Sequence, residues 1–227
     1  MRWGHEMRRA GPLAWMVPAA ALLVSAAFAG FAWYADVPSA RVGRFLLVGL
    51  EALLPLATAI TAVTLVARES CRELHLSLPS RHAGTVGRRL AVLAAWAALA
   101  AVGFSIVVWA TGWWTGPSAL ESPLIWIAPG LSLTAIGVLV AVAFRSVALG
   151  SGVVSALWLF QQLMAPLILG KSWSRPFFLF ATTRATLPAD DWLVNRITLI
   201  ASGALLAVAV AVVLVLRPDW MLSEEEV

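Results

Sequence analysis

Side chains that could perform chemistry are scarce in the apolar part of this sequence. Glu51 is the one charged residue inside its long apolar runs. A carboxylate at such a depth is unfavourable by a few kcal/mol unless it is paired or protonated. Glu51 is therefore either a polar contact in a substrate path or part of a structural hydrogen bond or salt bridge. Arg44, seven residues earlier and on nearly the same helical face, could extend towards it.

The usual catalytic pairs cannot be assembled within these apolar runs. All three His residues, His5, His75 and His82, lie outside them, so no nucleophile there has a His base. Gly150-Ser151-Gly152 is better explained as the start of a helix rich in small residues. The stretch 165–172 loosely matches a phosphate-binding loop, but that motif works only between a strand and a helix. We therefore expect no enzymatic activity, no catalytic residue and no metal, and the single Cys71 excludes an intrachain disulfide.

The composition indicates the kind of environment that surrounds these residues. Hydrophobic residues make up 61% of the chain and charged residues 12%, whereas soluble domains have roughly 45–50% and about 25%. A chain with so few polar residues cannot cover the surface of a globule in water. The surrounding solvent must therefore be lipid. The basic residues flank apolar runs instead of forming a soluble patch, which argues against nucleic acid as a partner.

The runs predict an all-α membrane protein with six transmembrane helices in one domain, residues 1–227. Each run has about the 20 residues that a helix needs to cross the hydrocarbon core. The predicted spans are Leu13–Trp33, Phe45–Ala67, Leu90–Ala110, Leu124–Phe144, Val147–Leu169 and Ile197–Leu216. Six spans put both termini on the same side of the membrane.

Charge and tryptophan positions predict which side that is. With both termini in the cytoplasm, ten of the sixteen Lys and Arg residues are cytoplasmic, as the positive-inside rule requires. Seven of the twelve Trp residues then lie at the outer boundary, where indole rings collect: Trp33, Trp109, Trp113, Trp114, Trp126, Trp173 and Trp192. We expect a multi-pass protein of a bacterial plasma membrane.

The cytoplasmic segment between the second and third spans has the character of a docking surface. Leu74, Leu76 and Leu78 form a short apolar patch between charged flanks, Pro79 ends or turns the element, and Ser80 can cap the element after it. The alternative is a loop that lies on the lipid headgroups.

Several stretches resemble the permeases of type-2 ABC transporters. They are the second span with Pro55, the sequence ARES at Ala67–Ser70 and the sequence ELHLSLPSR at Glu73–Arg81. A tight turn at Phe144–Ser146, the segment Asp191–Arg196 before the last span and the closing Arg217-Pro-Asp-Trp are also similar. The resemblance implies that a short coupling helix contacts the ATPase subunit through Glu69, Arg72, Glu73, Leu74, His75, Leu76, Leu78, Pro79, Ser80 and Arg81.

The outer segment between the fifth and sixth spans, residues 171–196, contains four consecutive apolar residues, Phe177–Phe180, after Pro176. They are too few to cross a membrane and too apolar to remain in water. A re-entrant or interfacial element covered by protein satisfies both constraints; an ordinary loop with an apolar tuck is the alternative. Lipid offers amides no partner, so we expect Gln161 and Gln162 to face other helices. The candidate residues of a translocation path are Glu51, Gln161, Gln162, Phe177, Phe178 and Phe180.

The resemblance implies a permease that exports an amphipathic drug, lipid or peptide. It would bind no cofactor itself, since ATP and Mg would lie on separate ATPase subunits, and it would pair with a second copy or a homologous permease within the membrane lipid. Secondary carriers generally show internal repeats or several buried charges. A self-contained carrier or channel is therefore the alternative, ahead of an intramembrane enzyme.

Overall fold

The computed structural model describes residues 11–67, 82–184 and 187–216. All regular structure in these ranges is helical. Eight α-helices follow one another: α1 Gly11–Tyr34, α2 Ser39–Val48, α3 Leu54–Ala67, α4 His82–Ala110, α5 Ser122–Phe144, α6 Val147–Leu163, α7 Ala165–Leu169 and α8 Ala189–Leu216. A π-helical turn, Gly49–Leu53, joins α2 to α3, and a 3₁₀ turn, Arg175–Phe177, lies between α7 and α8.

Five helical stretches of the described ranges are long and apolar enough to cross a membrane. They are Ala14–Tyr34, Ser39–Val66, Gly84–Ala110, Ser122–Phe144 and Ala189–Val215. The chain is a multi-pass helical membrane protein, as predicted.

The predicted fifth span, Val147–Leu169, is not one helix. Helix α6 ends at Leu163 after 17 residues, and α7 begins at Ala165. Pro166 explains the break, because it has no N–H to donate to the carbonyl of Gln162 and its ring clashes with that carbonyl in a continuous helix. The prediction of a single helix was wrong at this point.

Three helices begin well before the apolar runs that predicted them. The helical stretch of the second span begins at Ser39, six residues before the predicted span. Helices α4 and α8 begin at His82 and Ala189, each eight residues before the predicted span. Because a helix satisfies its own backbone hydrogen bonds, it continues through polar residues beyond the hydrocarbon core. Arg196 consequently lies two turns inside a helix.

The π turn has a local cause in Pro55. In a regular α-helix the ring of Pro55 would press on the carbonyl of Glu51. The backbone widens instead, and the N–H of Leu54 bonds the carbonyl of Gly49, five residues earlier. The carbonyl of Ala52 accepts a hydrogen bond of 3.0 Å from Trp158 Nε1 on α6. Glu51 therefore projects from an irregular turn, a feature that often marks functional positions in helices.

Helices α3, α5 and α6 pack tightly against one another at two glycines. A Cβ added at Gly137 on α5 would lie 2.6 Å from Val154 Cγ2, and one at Gly150 on α6 would lie 2.8 Å from the carbonyl oxygen of Gly137. The predicted tight turn between α5 and α6 is confirmed: Arg145 has a left-handed conformation, and Ser146 Oγ accepts from the N–H of Leu149. The small residues of 150–152 belong to the first turns of α6, also as predicted.

One end of the bundle is rich in tryptophan. Trp33 packs on Trp113 with ring centroids 5.4 Å apart, and Trp109 stacks on Trp114 at 5.5 Å. We call this the tryptophan-rich end. Glycine at position 43 is required here, because an added Cβ would lie 2.2 Å from the carbonyl oxygen of Trp113.

Candidate functional site

The segment of residues 170–184, between α7 and α8, folds into the bundle. We call it the closing segment. Phe178, Leu179, Phe180 and Ala181 are all buried, whereas Phe177 is 52% exposed. Apart from the 3₁₀ turn it consists of turns and irregular backbone. Protein covers Phe178 and Phe180 but not Phe177. This burial fits both a re-entrant element and an ordinary loop with an apolar tuck, so the re-entrant element stays a prediction.

Glu51 is the central anchor of the closing segment. Its carboxylate is fully buried. Oε1 accepts from the backbone N–H of Thr182 at 2.7 Å and from Arg196 Nη2. Oε2 accepts from the N–H and the hydroxyl of Thr183 at 2.7 and 2.6 Å. Two consecutive residues of the closing segment are thus held by one side chain of the π turn.

Arg196 on α8 completes this cluster and neutralises its charge. The guanidinium is fully buried. Besides Glu51, it donates to the carbonyl of Leu179 at 3.1 Å and to the hydroxyl of Thr182 at 2.9 Å. Its Cζ lies 5.3 Å from the ring centroid of Trp192, in the geometry of a cation–π contact. The indole N–H of Trp192 donates to the same hydroxyl of Thr182.

The ion-pair partner expected from the sequence was wrong. Arg44 is exposed, and Arg196, counted as a residue of the outer segment, is the partner of Glu51. The residues are separated by 145 positions, so their contact depends on how α8 packs. The structural alternative for Glu51, a salt bridge with hydrogen bonds, describes the observed geometry.

Three amide side chains bind the closing segment from the flanking helices. Asn195 Nδ2 donates to the carbonyls of Arg175 and Phe178, at 2.8 and 2.9 Å. Gln161 donates to the carbonyl of Phe177 and accepts from the N–H of Leu179.

Gln162 accepts from Arg184 Nε at 2.9 Å. Gln161 and Gln162 lie in the last turn of α6, so the expectation that they face other helices was wrong: their partners are in the closing segment. Side chains in this way replace the bonds that a regular helix would supply to its own backbone.

The contacts of this cluster are those of an anchor for the closing segment. Both oxygens of Glu51 are occupied by donors, so the carboxylate presents no free base to a substrate. The described residues contain no group of three or more His, Cys, Asp or Glu side chains that could hold a metal ion.

A second feature, an apolar cavity of about 540 Å³, lies among α3, α4, α5 and α8. Leu54, only three residues after Glu51, and Trp126 line it. Among all its lining residues only Thr58 and Thr134 carry a polar side-chain atom apart from the indole of Trp126, and the hydroxyl of Thr58 donates to the carbonyl of Leu54 in its own helix. The cavity can take up hydrocarbon but offers no charge to a headgroup.

Five of the six residues predicted for a translocation path lie together, in the closing segment or in contact with it: Glu51, Gln161, Gln162, Phe178 and Phe180. Their assignment to a translocation path stays a prediction. The proposed ATPase-coupling residues, Glu69 to Arg81, lie outside the described residues.

Five residues of the cluster were not predicted from the sequence: Thr182, Thr183, Trp192, Asn195 and Arg196. One signal was available: Asn195 and Arg196 directly precede an apolar run, where a polar side chain at the start of a span needs a partner.

Comparisons of the chain with protein-family models, with curated proteins and with solved structures give no significant match.

Proposed function

We propose that this chain is the permease subunit of an ATP-driven exporter of an amphipathic molecule such as a drug, a lipid or a peptide. The observation that carries the proposal is an apolar cavity among the spans, one of whose lining residues, Leu54, lies three residues after the Glu51 that anchors the closing segment. A cavity reached from within the membrane, next to the anchor of a segment that could open the outer end, is what an exporter needs to take up and release its cargo. The resemblance at Ala67–Arg81 supplies the link to a separate ATPase subunit, which would bind ATP and Mg.

The proposal includes six crossings with both termini in the cytoplasm of a bacterium. Helix α6 is 17 residues long, or about 26 Å at 1.5 Å per residue. This length is at the short end of what crosses a hydrocarbon core of about 30 Å, and α7 extends the segment towards the tryptophan-rich end. That end would be the outer one, and the closing segment would be an interfacial cover whose backbone is shielded by protein.

Helix α3 would transmit the movement of the ATPase subunit to the closing segment. It ends at Ala67, where the proposed docking segment begins, and it starts directly after the π turn that carries Glu51. Glu51 and Ala67 are 16 residues apart in the sequence, roughly 24 Å along the helical stretch at 1.5 Å per residue. A displacement of α3 by the ATPase would therefore act on the contacts between Glu51 and residues 182 and 183. Release of the closing segment would open the outer end of the path. A second copy of the chain, or a homologous permease, would form the other half.

The buried pair of Glu51 and Arg196 favours a second candidate, a self-contained secondary carrier, because carriers use paired charges at membrane depth. The two candidates differ in their source of energy. A carrier transports when the purified chain is reconstituted alone with an ion gradient, whereas a permease subunit requires its ATPase and ATP.

The test is purification of the tagged chain from its native membrane in a mild detergent. We expect a vanadate-sensitive ATPase activity to co-purify. Replacement of both Leu76 and Leu78 by Asp should remove it, because truncation of a buried anchor at an interface commonly costs about 2 kcal/mol or more and a buried carboxylate costs more than truncation. His82→Ala, a change beside the proposed contact, should retain the activity.

An ATPase that co-purifies equally with the double Asp variant would refute this docking segment. Gradient-driven transport by the chain alone would replace the proposal by the carrier.

A further inference from the structure

We propose that the apolar cavity among α3, α4, α5 and α8 binds the hydrocarbon chain of a single-chain amphipath that enters sideways from the membrane. The lining residues by themselves support the binding site. Its identification as the cargo site rests on the proposed function, which it deepens by naming the class of substrate.

The lining selects hydrocarbon. It contains no charged, amide or imidazole side chain, and an apolar cavity of this kind excludes water. Its volume of about 540 Å³ falls in the range of small-molecule sites, roughly 300–1,000 Å³. An empty space of this size is unfavourable, because the lining atoms lose their dispersion contacts. An apolar occupant restores those contacts.

The length of the cavity corresponds to one acyl chain. Along α5 the lining extends from Trp126 to Val138, which is about 18 Å at 1.5 Å per residue. Half of a hydrocarbon core of about 30 Å is roughly 15 Å, so one leaflet's chain is about as long as the cavity.

The walls show how a chain would enter. Leu54, Pro55 and Val138 form a buried floor, whereas Ala91 and Ala94 on α4 line the cavity and are exposed. Both alanines lie within the apolar helical stretch Gly84–Ala110, so the opening faces lipid and not water. The occupant therefore comes from the membrane.

Small side chains on α4 and α5 create the space. Ala91, Ala94 and Ala98 recur at spacings of three and four, on one face of α4. Across from them, a Cβ added at Gly130 would meet only Pro55 Cβ, at 4.0 Å. A larger side chain at position 130 therefore has room and would occupy the cavity.

The test uses the full chain in phospholipid nanodiscs and palmitate that carries a diazirine on its acyl chain as the probe. After illumination the labelled residues are mapped by mass spectrometry. In the wild type we expect labelling of residues 90–98 and 126–138 that saturates with the probe and is displaced by unlabelled palmitate. Gly130→Leu should reduce this labelling at least fivefold.

Gly103→Leu is the matched control, because Gly103 is an exposed helical glycine whose added Cβ would have no neighbour within 4 Å. It should label like the wild type. Ala98→Leu fills the same cavity from α4 and should reproduce the loss; it replaces Gly130→Leu if that variant is not monodisperse.

Labelling that does not saturate, or that Gly130→Leu and Ala98→Leu leave unchanged, overturns the site. The co-purifying ATPase activity is measured on the same preparations. If the wild type shows no saturable labelling but an ATPase co-purifies, the hydrocarbon site alone is rejected. Saturable labelling of the wild type without any co-purifying ATPase rejects the proposed function and leaves the binding site.

Discussion

Replacing Arg196 by Met should release the closing segment, whereas the same replacement at Arg44 should not. Met keeps an unbranched chain of moderate length but removes the charge and every donor. Arg196 and Glu51 are both fully buried, and removal of one partner from a buried pair costs about 3–5 kcal/mol. Arg44 is exposed and makes the matched control on the helix that leads to Glu51.

The expected magnitude is near the lower limit of this range. In Arg196→Met the carboxylate of Glu51 keeps the N–H groups of Thr182 and Thr183, but the carbonyl of Leu179 loses its donor. A loss of about 3 kcal/mol in the free energy of local opening corresponds to roughly a 100-fold larger open population. Hydrogen exchange measures this population when closing is faster than exchange.

The assay is hydrogen exchange with mass spectrometry on the chain in nanodiscs. The amides of residues 178–184 should exchange roughly 100-fold faster in Arg196→Met than in the wild type, and at the wild-type rate in Arg44→Met. Amides of α1 serve as an internal reference for overall folding. An unchanged rate in a folded Arg196→Met protein, or an equal acceleration in Arg44→Met, would refute the anchoring role of the pair.

A double variant separates an anchor from a simple ion pair. Replacing a buried pair by apolar residues is often neutral. In Glu51→Leu/Arg196→Met, however, two backbone N–H groups and the hydroxyl of Thr183 also lose their acceptor, and each unsatisfied group costs about 1–3 kcal/mol. In the double variant the closing segment should therefore still exchange faster than in the wild type. Recovery of the wild-type exchange rate would show that Glu51 and Arg196 only neutralise one another and do not anchor the segment.

Two further predictions concern packing and orientation. Gly43→Ala should lower the midpoint of thermal unfolding by several degrees, because its Cβ would lie 2.2 Å from the carbonyl oxygen of Trp113 and relief of the clash must shift backbone; Gly103→Ala, which has open space, should not lower it. Cys71, the single thiol, should resist a membrane-impermeant maleimide in intact cells and react after permeabilisation; labelling in intact cells would reverse the proposed orientation.

The parts of the fold that were predictable depend on local properties. A run of apolar residues long enough to cross the membrane needs no knowledge of its neighbours, so five of the predicted spans coincide with long helical stretches. The break before Pro166 is local too, and the proline was visible in the sequence. The apolar run continued through it, however, and that run hid the interruption.

The partners in the candidate site could not be predicted in this way. The sequence indicates that Glu51 needs a counter-charge, and Arg44 is the nearest basic residue along the chain. Which helix faces Glu51 depends on packing and on the π turn, which changes the direction of the side chain. The same limit applies to Gln161 and Gln162, whose partners are irregular backbone that has no signature in the sequence.

The irregular backbone explains why a charge is found at position 51. The closing segment lies among buried residues without the internal hydrogen bonds of a helix, so its N–H groups need external acceptors. Thr182 and Thr183 present two consecutive N–H groups, and a carboxylate has two equivalent oxygens to receive them. A neutral Gln has only one oxygen and would turn an N–H₂ group towards the second donor. The charge that comes with the carboxylate then requires Arg196. Because these contacts converge on the side chain of Glu51, in the π turn directly before α3, a shift of that helix would loosen them together.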